Sequence, residues 1–122
     1  MNKVKTYDIG TYLHSNRVAQ IGLYTGKCIG LSSNELCTLR DASLLHDIGK
    51  VKIPKNVLLK KESLSRDDWS TIKEHPEIGY RIMKRKHTQK EILAGILSHH
   101  ERWSGNGYPN GLEGENIPLF GR

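Results

Sequence analysis

Six residues of this chain have the chemistry and the placement to hold metal ions. Neutral imidazole and carboxylate groups are ligands that borderline transition metals accept, and a carboxylate can bridge two ions through its two oxygens. Adjacent residues on a helix point about 100° apart, so a His-His pair reaches one ion from two directions or serves two ions. The six candidates are His14, His46, Asp47, His75, His99 and His100.

Single histidines of this kind are more often helix caps or satisfied core residues than metal ligands. The joint occurrence changes the interpretation, because the His-Asp pair, His75 and the His-His pair all stand at ends or breaks of predicted helices. Two adjacent imidazoles in a core would also need two sets of polar partners. His87 lies in a lysine-rich stretch with no apolar face and is not included. The pattern as a whole favours a metal centre.

Helices separated by polar residues must position these side chains. Apolar residues at helical spacing around Val18 predict a first helix that ends at Gly30. Three S/T-x-x-E/D signatures, typical of helix N-termini, predict the starts of three further helices. They are Ser32–Glu35, Ser65–Asp68 and Thr88–Glu91. Gly49 is expected to end the second helix, which carries the His-Asp pair.

The other breaks in the helical pattern are consistent with an all-α fold class. Pro76 disfavours helical geometry at the residue before it, so His75 is expected at a break between two helices, where it can point into a cleft. Four glycines between positions 105 and 114 predict a structured loop after the His-His pair. No alternating apolar pattern of useful length indicates a β-strand.

Composition excludes several classes of protein. A chain of 122 residues is one domain or part of one. No apolar run approaches the ~18 residues of a membrane span, and no signal peptide is evident, so a cytoplasmic location is expected. The net charge of +6 is spread along the chain without interleaved aromatic residues, which argues against binding a nucleic acid polymer. Cys28 and Cys37 are expected to be reduced, buried core residues.

Four motifs, in order, resemble the HD-GYP family, a bacterial subgroup of the HD phosphohydrolases. The motifs are His46-Asp47-Ile48-Gly49-Lys50, His75-Pro76, His99-His100-Glu101 and Gly107-Tyr108-Pro109. With the flanking residues, the match spans positions 8 to 122. The resemblance implies an HD-domain-like helical bundle over residues 1–122. It also implies a phosphodiesterase that hydrolyses the messenger cyclic di-GMP to the linear dinucleotide pGpG, to GMP, or to both.

The resemblance assigns roles to individual residues. All six candidates become metal ligands, with Asp47 bridging two ions, and Asp47, Lys50 and Asp8 become catalytic residues. Lys50 would also contact a substrate phosphate. The substrate-side loop would be Gly107, Tyr108 and Pro109. The implied cofactors are two divalent transition metal ions, with iron or manganese favoured and zinc, nickel or cobalt as alternatives. Some members use a glutamate for a third ion at the position of Gly10, so two ions are expected here.

The chain departs from the family at its end. The family continues beyond the Ile117-Pro118-Leu119 segment into a helix with another metal-binding aspartate, whereas this sequence stops at Arg122. The bundle is therefore expected to be incomplete, with an exposed apolar face that favours self-association. One ion would keep four ligands (Asp47, His75, His99 and His100). The other would keep three (His14, His46 and Asp47).

Two other functions stay open at this point. The chain is alternatively a non-catalytic cyclic di-GMP signalling module that contacts diguanylate cyclase (GGDEF) domains through its GYP loop. It is otherwise an HD phosphohydrolase that acts on another nucleotide. Metal content separates the first alternative from the phosphodiesterase, since about two ions per chain favours catalysis. A panel of substrates separates the second.

Overall fold

The computed structural model describes residues 9–122, which form helices and short 3-10 turns, with a single isolated β-bridge as the only extended pairing in this range. The α-helices are α1 (Ile9–Cys28), α2 (Ser33–Leu45), α3 (Lys55–Leu58), α4 (Arg66–Ile72), α5 (His75–Lys84) and α6 (Lys90–Ser98). The 3-10 turns span Ile48–Lys52, Gly114–Asn116 and Leu119–Gly121. The expected all-α class is confirmed. Asp8 lies outside the described residues.

Helix α1 packs against α2 through small side chains. Ser15, Ala19 and Gly26 are among the buried residues of α1. A Cβ atom added at Gly26 would lie 2.9 Å from the Leu36 side chain and 3.1 Å from Leu39, so the glycine permits the close approach. The small-residue face of α1, and not its larger apolar residues, is therefore the face that meets α2.

Both cysteines are free and exposed, so the expectation that they belong to the core is wrong. The buried positions of α1 recur every three or four residues and include Ala19 and Gly26. Cys28, two residues beyond Gly26, points about 200° away from that face. Ile21 is 67% exposed for the same reason, two residues beyond Ala19.

Two of the three predicted capping boxes are present. The Ser32 side chain accepts a hydrogen bond from the Glu35 backbone amide, and the Glu35 carboxylate accepts from the Ser32 backbone amide. Ser65 and Asp68 make the same reciprocal pair at the start of α4. Each box satisfies backbone donors that the first helical turn leaves without a partner. Gly30, at φ +82°, ends the turn after α1 as expected.

The third predicted capping box and one predicted helix end are wrong. Helix α6 begins at Lys90 with Gln89 as its N-cap, and no side chain caps it. The chain reaches this helix through His87 at φ 55°, and Gln89 is the last extended residue, so Thr88 lies one position too early to cap. Helix α2 ends at Leu45, before the 3-10 turn that contains Gly49.

Close backbone packing brings the His-Asp segment to the start of α5. A Cβ atom at Gly49 would collide with the carbonyl oxygen of His75 and approach the amide nitrogen of Gly79 to 2.7 Å. Ile96 of α6, which is fully buried in the core that also contains Ala42, would lie 3.0 Å from a Cβ atom added at Gly79. The glycines thus allow three segments to meet at one point.

An apolar groove of about 460 Å³ lies between α1 and the final 3-10 turn. Ile21, Ile29, Leu39 and Leu119 are among its lining residues. A surface of this kind is compatible with the expected self-association, which stays a prediction. Across residues 9–122, none of the helices combines the length and apolar character needed to cross a membrane.

Candidate metal centre

Four segments bring all six candidate ligands to one cluster. His14 comes from α1, the His-Asp pair directly follows α2, His75 is the first residue of α5, and the His-His pair directly follows α6. Within residues 9–122 the ligand atoms form two groups, and the atoms of each group lie within 4.8 Å of one another. The four-ligand group is Asp47, His75, His99 and His100, and the three-ligand group is His14, His46 and Asp47.

Asp47 lies at the centre of both groups and is 3% exposed. Its Oδ1 is 3.1 Å from Nε2 of His75 and 3.8 Å from Nε2 of His99. Its Oδ2 is 3.4 Å from Nε2 of His46 and accepts a hydrogen bond of 2.8 Å from Nζ of Lys50. One carboxylate oxygen thus faces each group, which is the arrangement a bridging ligand needs.

The environment of Asp47 keeps its carboxyl ionised. Burial alone would raise the pKa of this carboxyl. Contacts of the carboxylate with the His46 and His75 rings, together with the positive charge of Lys50, outweigh burial and hold the pKa well below its usual range. The carboxylate is therefore available as an anionic ligand at neutral pH.

Backbone carbonyls orient three of the histidines. In His46, His75 and His99 the Nδ1 atom lies within hydrogen-bond distance of a carbonyl oxygen three residues earlier. Because a carbonyl can only accept, Nδ1 carries the proton, and in the neutral ring Nε2 presents its lone pair to the cluster. The acceptors belong to Ser43, Ile72 and Ile96, at 2.6, 2.7 and 2.8 Å respectively.

This protonation pattern tests whether a metal fits. The Nε2 atoms of His75 and His99 are 3.0 Å apart, and both face the Asp47 carboxylate. With each Nδ1 committed to a carbonyl, neutral rings place lone pairs against one another and against an anion. A cation among these atoms removes that repulsion. Nitrogen and carboxylate oxygen donors, with no thiolate, suit a divalent transition metal.

Three histidines of the cluster are held neutral at pH 7. Burial, with the neighbouring imidazoles, lowers the pKa of His99 to about 3. Burial and His75 lower the pKa of His100 to about 4. The pKa of His14 is also lowered, first by partial burial and then by His46. Neutral imidazole is the form that binds a metal.

The cluster opens into a cleft of about 300 Å³. Lys50 lines this cleft with His14 and His100, and its ammonium group is the cation closest to Asp47. A cleft with imidazoles on its walls and a lysine at its edge can take an anionic phosphodiester, since the lysine adds positive charge beside the ligand cluster.

The predicted substrate loop lies directly against the cluster. The ring of Tyr108 stacks on the ring of His100, with centroids 4.7 Å apart and an interplanar angle of 14°. The backbone amide of Tyr108 donates to the carbonyl of His100 at 3.1 Å. Gly107 has no room for a Cβ atom, which would collide with the backbone between residues 100 and 102. Pro109 follows through a cis peptide bond.

Glu101 is a residue whose contribution the sequence did not reveal. It is buried, and its carboxylate accepts hydrogen bonds from the amides of Asn110 at 2.7 Å and Leu112 at 2.9 Å. It therefore ties the loop after Tyr108 to the end of α6. The available signal was an acidic residue between the His-His pair and a glycine-rich loop, whose backbone amides need acceptors.

Two other residues stand apart from the cluster. His87 is exposed and belongs to neither ligand group, in agreement with its exclusion. The proposed catalytic role of Asp8 has no structural description. Gly10, at which the resemblance implied that no third-metal ligand is present, lies in the first turn of α1. The number of bound ions stays a prediction.

Sequence comparisons identify similar proteins. A family model for the HD domain matches residues 7–122. The cyclic di-GMP phosphodiesterase response regulator RpfG of Xanthomonas campestris is 38% identical over 117 residues, covering 94% of this chain and 31% of that protein. The 3′3′-cGAMP-specific phosphodiesterase 2 of Vibrio cholerae is 38% identical over 126 residues, covering 99% of this chain and 24% of that protein. The chain thus spans a third or less of the length of these curated relatives.

A solved structure has the same fold. The HD domain of the Listeria monocytogenes phosphodiesterase PgpH, in complex with cyclic-di-AMP, superposes with a TM-score of 0.69 at 26% identity. The similarity covers 82% of this chain and 49% of that chain. The helical architecture is therefore that of an HD domain, and the protein relatives agree with the resemblance drawn from the motifs.

Proposed function

This chain belongs to the HD domain family, and we propose that it binds two divalent transition metal ions and hydrolyses a phosphodiester bond of cyclic di-GMP. The observation that carries the proposal is the position of Asp47, whose two oxygens face two separate sets of imidazole nitrogens. We assign residues 1–122 to this domain, and its site of action to the cytoplasm.

Divalent ions held by these residues would bind phosphate oxygens and lower the pKa of a coordinated water molecule. The protein residues make this arrangement possible in advance. Asp47 holds the two groups at a fixed separation, and the carbonyl-anchored rings of His75 and His99 keep their lone pairs directed inward. No large rearrangement of ligands is then required when ions bind.

Lys50 and the loop act on the substrate. The Lys50 ammonium lies where a phosphodiester at the centre gains negative charge in the transition state, and a fixed positive charge there lowers the barrier. Tyr108, which is half-buried, is assigned to contact substrate through its hydroxyl, with Gly107 and Pro109 on either side of it in the loop. Asp8 is retained as a catalytic candidate on the resemblance alone.

The reaction adds one water molecule across one phosphodiester bond of the ring. The hydroxyl joins phosphorus and the proton goes to the leaving ribose oxygen, which gives the linear dinucleotide pGpG. A second addition gives GMP. The similar proteins carry names that specify cyclic di-GMP, 3′3′-cGAMP and cyclic-di-AMP, which share two phosphodiester bonds and differ in their bases. We therefore base the proposed class of reaction on the metal centre, and the choice of cyclic di-GMP as substrate on the resemblance to the family.

Iron or manganese are the favoured ions, and zinc, nickel or cobalt would be accepted by the same nitrogen and oxygen donors. The alternative function is a signalling module that binds cyclic di-GMP or a GGDEF domain through the GYP loop without turnover. Self-association through the apolar groove beside α1 is compatible with either function.

The proposal is tested by incubating the purified chain with cyclic di-GMP and Mn²⁺ or Fe²⁺. Matched reactions use 3′3′-cGAMP and cyclic-di-AMP, and an Asp47→Ala chain is the control. Turnover of cyclic di-GMP that disappears in the control supports the proposal. Metal binding with no turnover of any dinucleotide supports the signalling module, and preferential turnover of another dinucleotide corrects the choice of base.

A further inference from the structure

His100 is held in place differently from His46, His75 and His99. A backbone carbonyl fixes the ring of each of His46, His75 and His99. Within residues 9–122 the His100 ring makes ring contacts and no hydrogen bond that orients it. Its ring contact with the smallest interplanar angle is the stack on Tyr108, at 14° with the ring centroids 4.7 Å apart.

Backbone contacts hold Tyr108 in place. The backbone amide of Tyr108 donates to the His100 carbonyl, and the preceding Gly107 packs against the backbone of residues 100–102. Beyond Tyr108, the buried Glu101 carboxylate holds the amides of Asn110 and Leu112. The loop is thus tied down on both sides of the stacked ring.

A second contact further limits the Tyr108 ring. The ammonium of Lys73, at the C-cap of α4, lies 5.3 Å from the Tyr108 centroid. With His100 and Lys73 both against the ring, its hydroxyl is the part suited to meeting substrate. The role of the ring itself lies in its contacts with His100 and Lys73.

We propose that the Tyr108 ring, held by Glu101, fixes the orientation of His100 as the fourth ligand of the four-ligand group. Tyr108 and Glu101 are then positioning residues for one metal ion, in addition to any contact between the Tyr108 hydroxyl and substrate. The inference rests on the proposed function only in taking these side chains as metal ligands. Holding an imidazole in its binding rotamer removes the entropy cost of ordering it when the ion arrives.

The test measures Mn²⁺ affinity by calorimetry, without nucleotide, at each group separately. A His14→Ala background isolates the four-ligand group, and a His75→Ala background isolates the three-ligand group. In the first background, Tyr108→Leu is expected to weaken Mn²⁺ binding about 10- to 100-fold, the range typical of residues that support a ligand. Tyr108→Phe keeps the ring and is expected to bind as the parent does.

The second background and two further variants make the test specific. In the His75→Ala background, Tyr108→Leu is expected to leave the Mn²⁺ affinity of the three-ligand group unchanged. A general loss of structure would lower that affinity as well. Glu101→Gln, which loses one of two acceptors, is expected to weaken the four-ligand group about 10-fold. Asn106→Ala, an exposed change in the same loop, is expected to have no effect.

Equal Mn²⁺ affinity of Tyr108→Leu and Tyr108→Phe in the His14→Ala background overturns the proposal. If Tyr108→Leu fails to fold, Glu101→Gln decides. In Glu101→Gln, unchanged Mn²⁺ affinity of the four-ligand group together with faster hydrogen exchange at the Asn110 and Leu112 amides would also overturn the proposal. If the wild-type chain binds no Mn²⁺, the proposed function itself is wrong. If the wild-type chain binds Mn²⁺ and the Tyr108 variants bind it equally well, only the positioning role of Tyr108 is wrong.

Discussion

The two ligand groups share Asp47 and differ in almost everything else. The four-ligand group lies inside the fold, with His75 only 1% exposed and carbonyl bonds on the rings of His75 and His99. The three-ligand group depends on His14, which is exposed on α1. His46 is its one carbonyl-anchored ring.

For the two proposed ions, this difference predicts a division of labour. An ion with four pre-oriented ligands is held tightly and has few open positions. An ion with three ligands, one of them on the surface, keeps open positions toward the cleft and exchanges more easily. The open positions are the ones that water and a phosphate oxygen need.

Asp47→Ala is expected to have the largest effect because it removes the ligand common to both groups. The metal content should fall from about two ions per chain to none, with hydrolysis at background. Elemental analysis of the purified chain measures this. The control is His87→Asn, since asparagine tolerates the positive φ at that position and His87 lies outside both groups. A full metal complement in Asp47→Ala would rule out the bridging role.

His75→Ala is expected to remove the ion of the four-ligand group and retain weaker binding at the other. The reason is that His75 belongs to one group only and is its most buried imidazole. Calorimetry with Mn²⁺ should show about one ion per chain, and hydrolysis should fall by at least about 100-fold. Two binding events of unchanged affinity would show that the division into groups is wrong.

His14→Ala is the matching change on the other side. Because His14 is exposed, the melting temperature should hardly change, while the weaker Mn²⁺ binding step should lose about 10-fold or more in affinity. The tighter step should persist. Loss of the tighter step instead would reverse the assignment of strong and weak groups.

Lys50→Met should have the smallest effect on metal and still slow the reaction. Lys50 contacts the Asp47 carboxylate but offers no lone pair to an ion, so both binding steps should remain. Loss of its charge should lower kcat by about 100-fold with a smaller change in KM. Steady-state kinetics on the metal-loaded chain separate these constants, and a change in KM alone would make Lys50 a binding residue only.

Much of the local structure was predictable because its causes are local. The caps at Ser32 and Ser65 form between residues three positions apart, so the sequence contains all their partners. The Thr88 signature has the same form and fails, because the turn through His87 sets where α6 begins. A short pattern identifies a helix start only when the incoming chain permits it.

The candidate ligands were predictable as residue types, through motifs that join positions far apart in sequence. Glu101 lay inside one of those motifs and still received no role, because its partners at Asn110 and Leu112 depend on how the loop folds back. Cys28 was misplaced for a related reason: burial on α1 follows the face that α2 selects, and helical spacing alone predicts several faces.

The sequence by itself determined the fold class, two helix caps and the chemical identity of the candidate metal ligands, since these follow from residue type and short-range spacing. Tertiary structure decided which oxygen of Asp47 faces which histidines, which ring nitrogen carries the proton, and which imidazole is buried. Those properties depend on distances of a few ångströms between segments tens of residues apart. The close approach of the Gly49 backbone to the carbonyl of His75 is one such distance, because only a residue without a side chain lets the two backbones approach so closely.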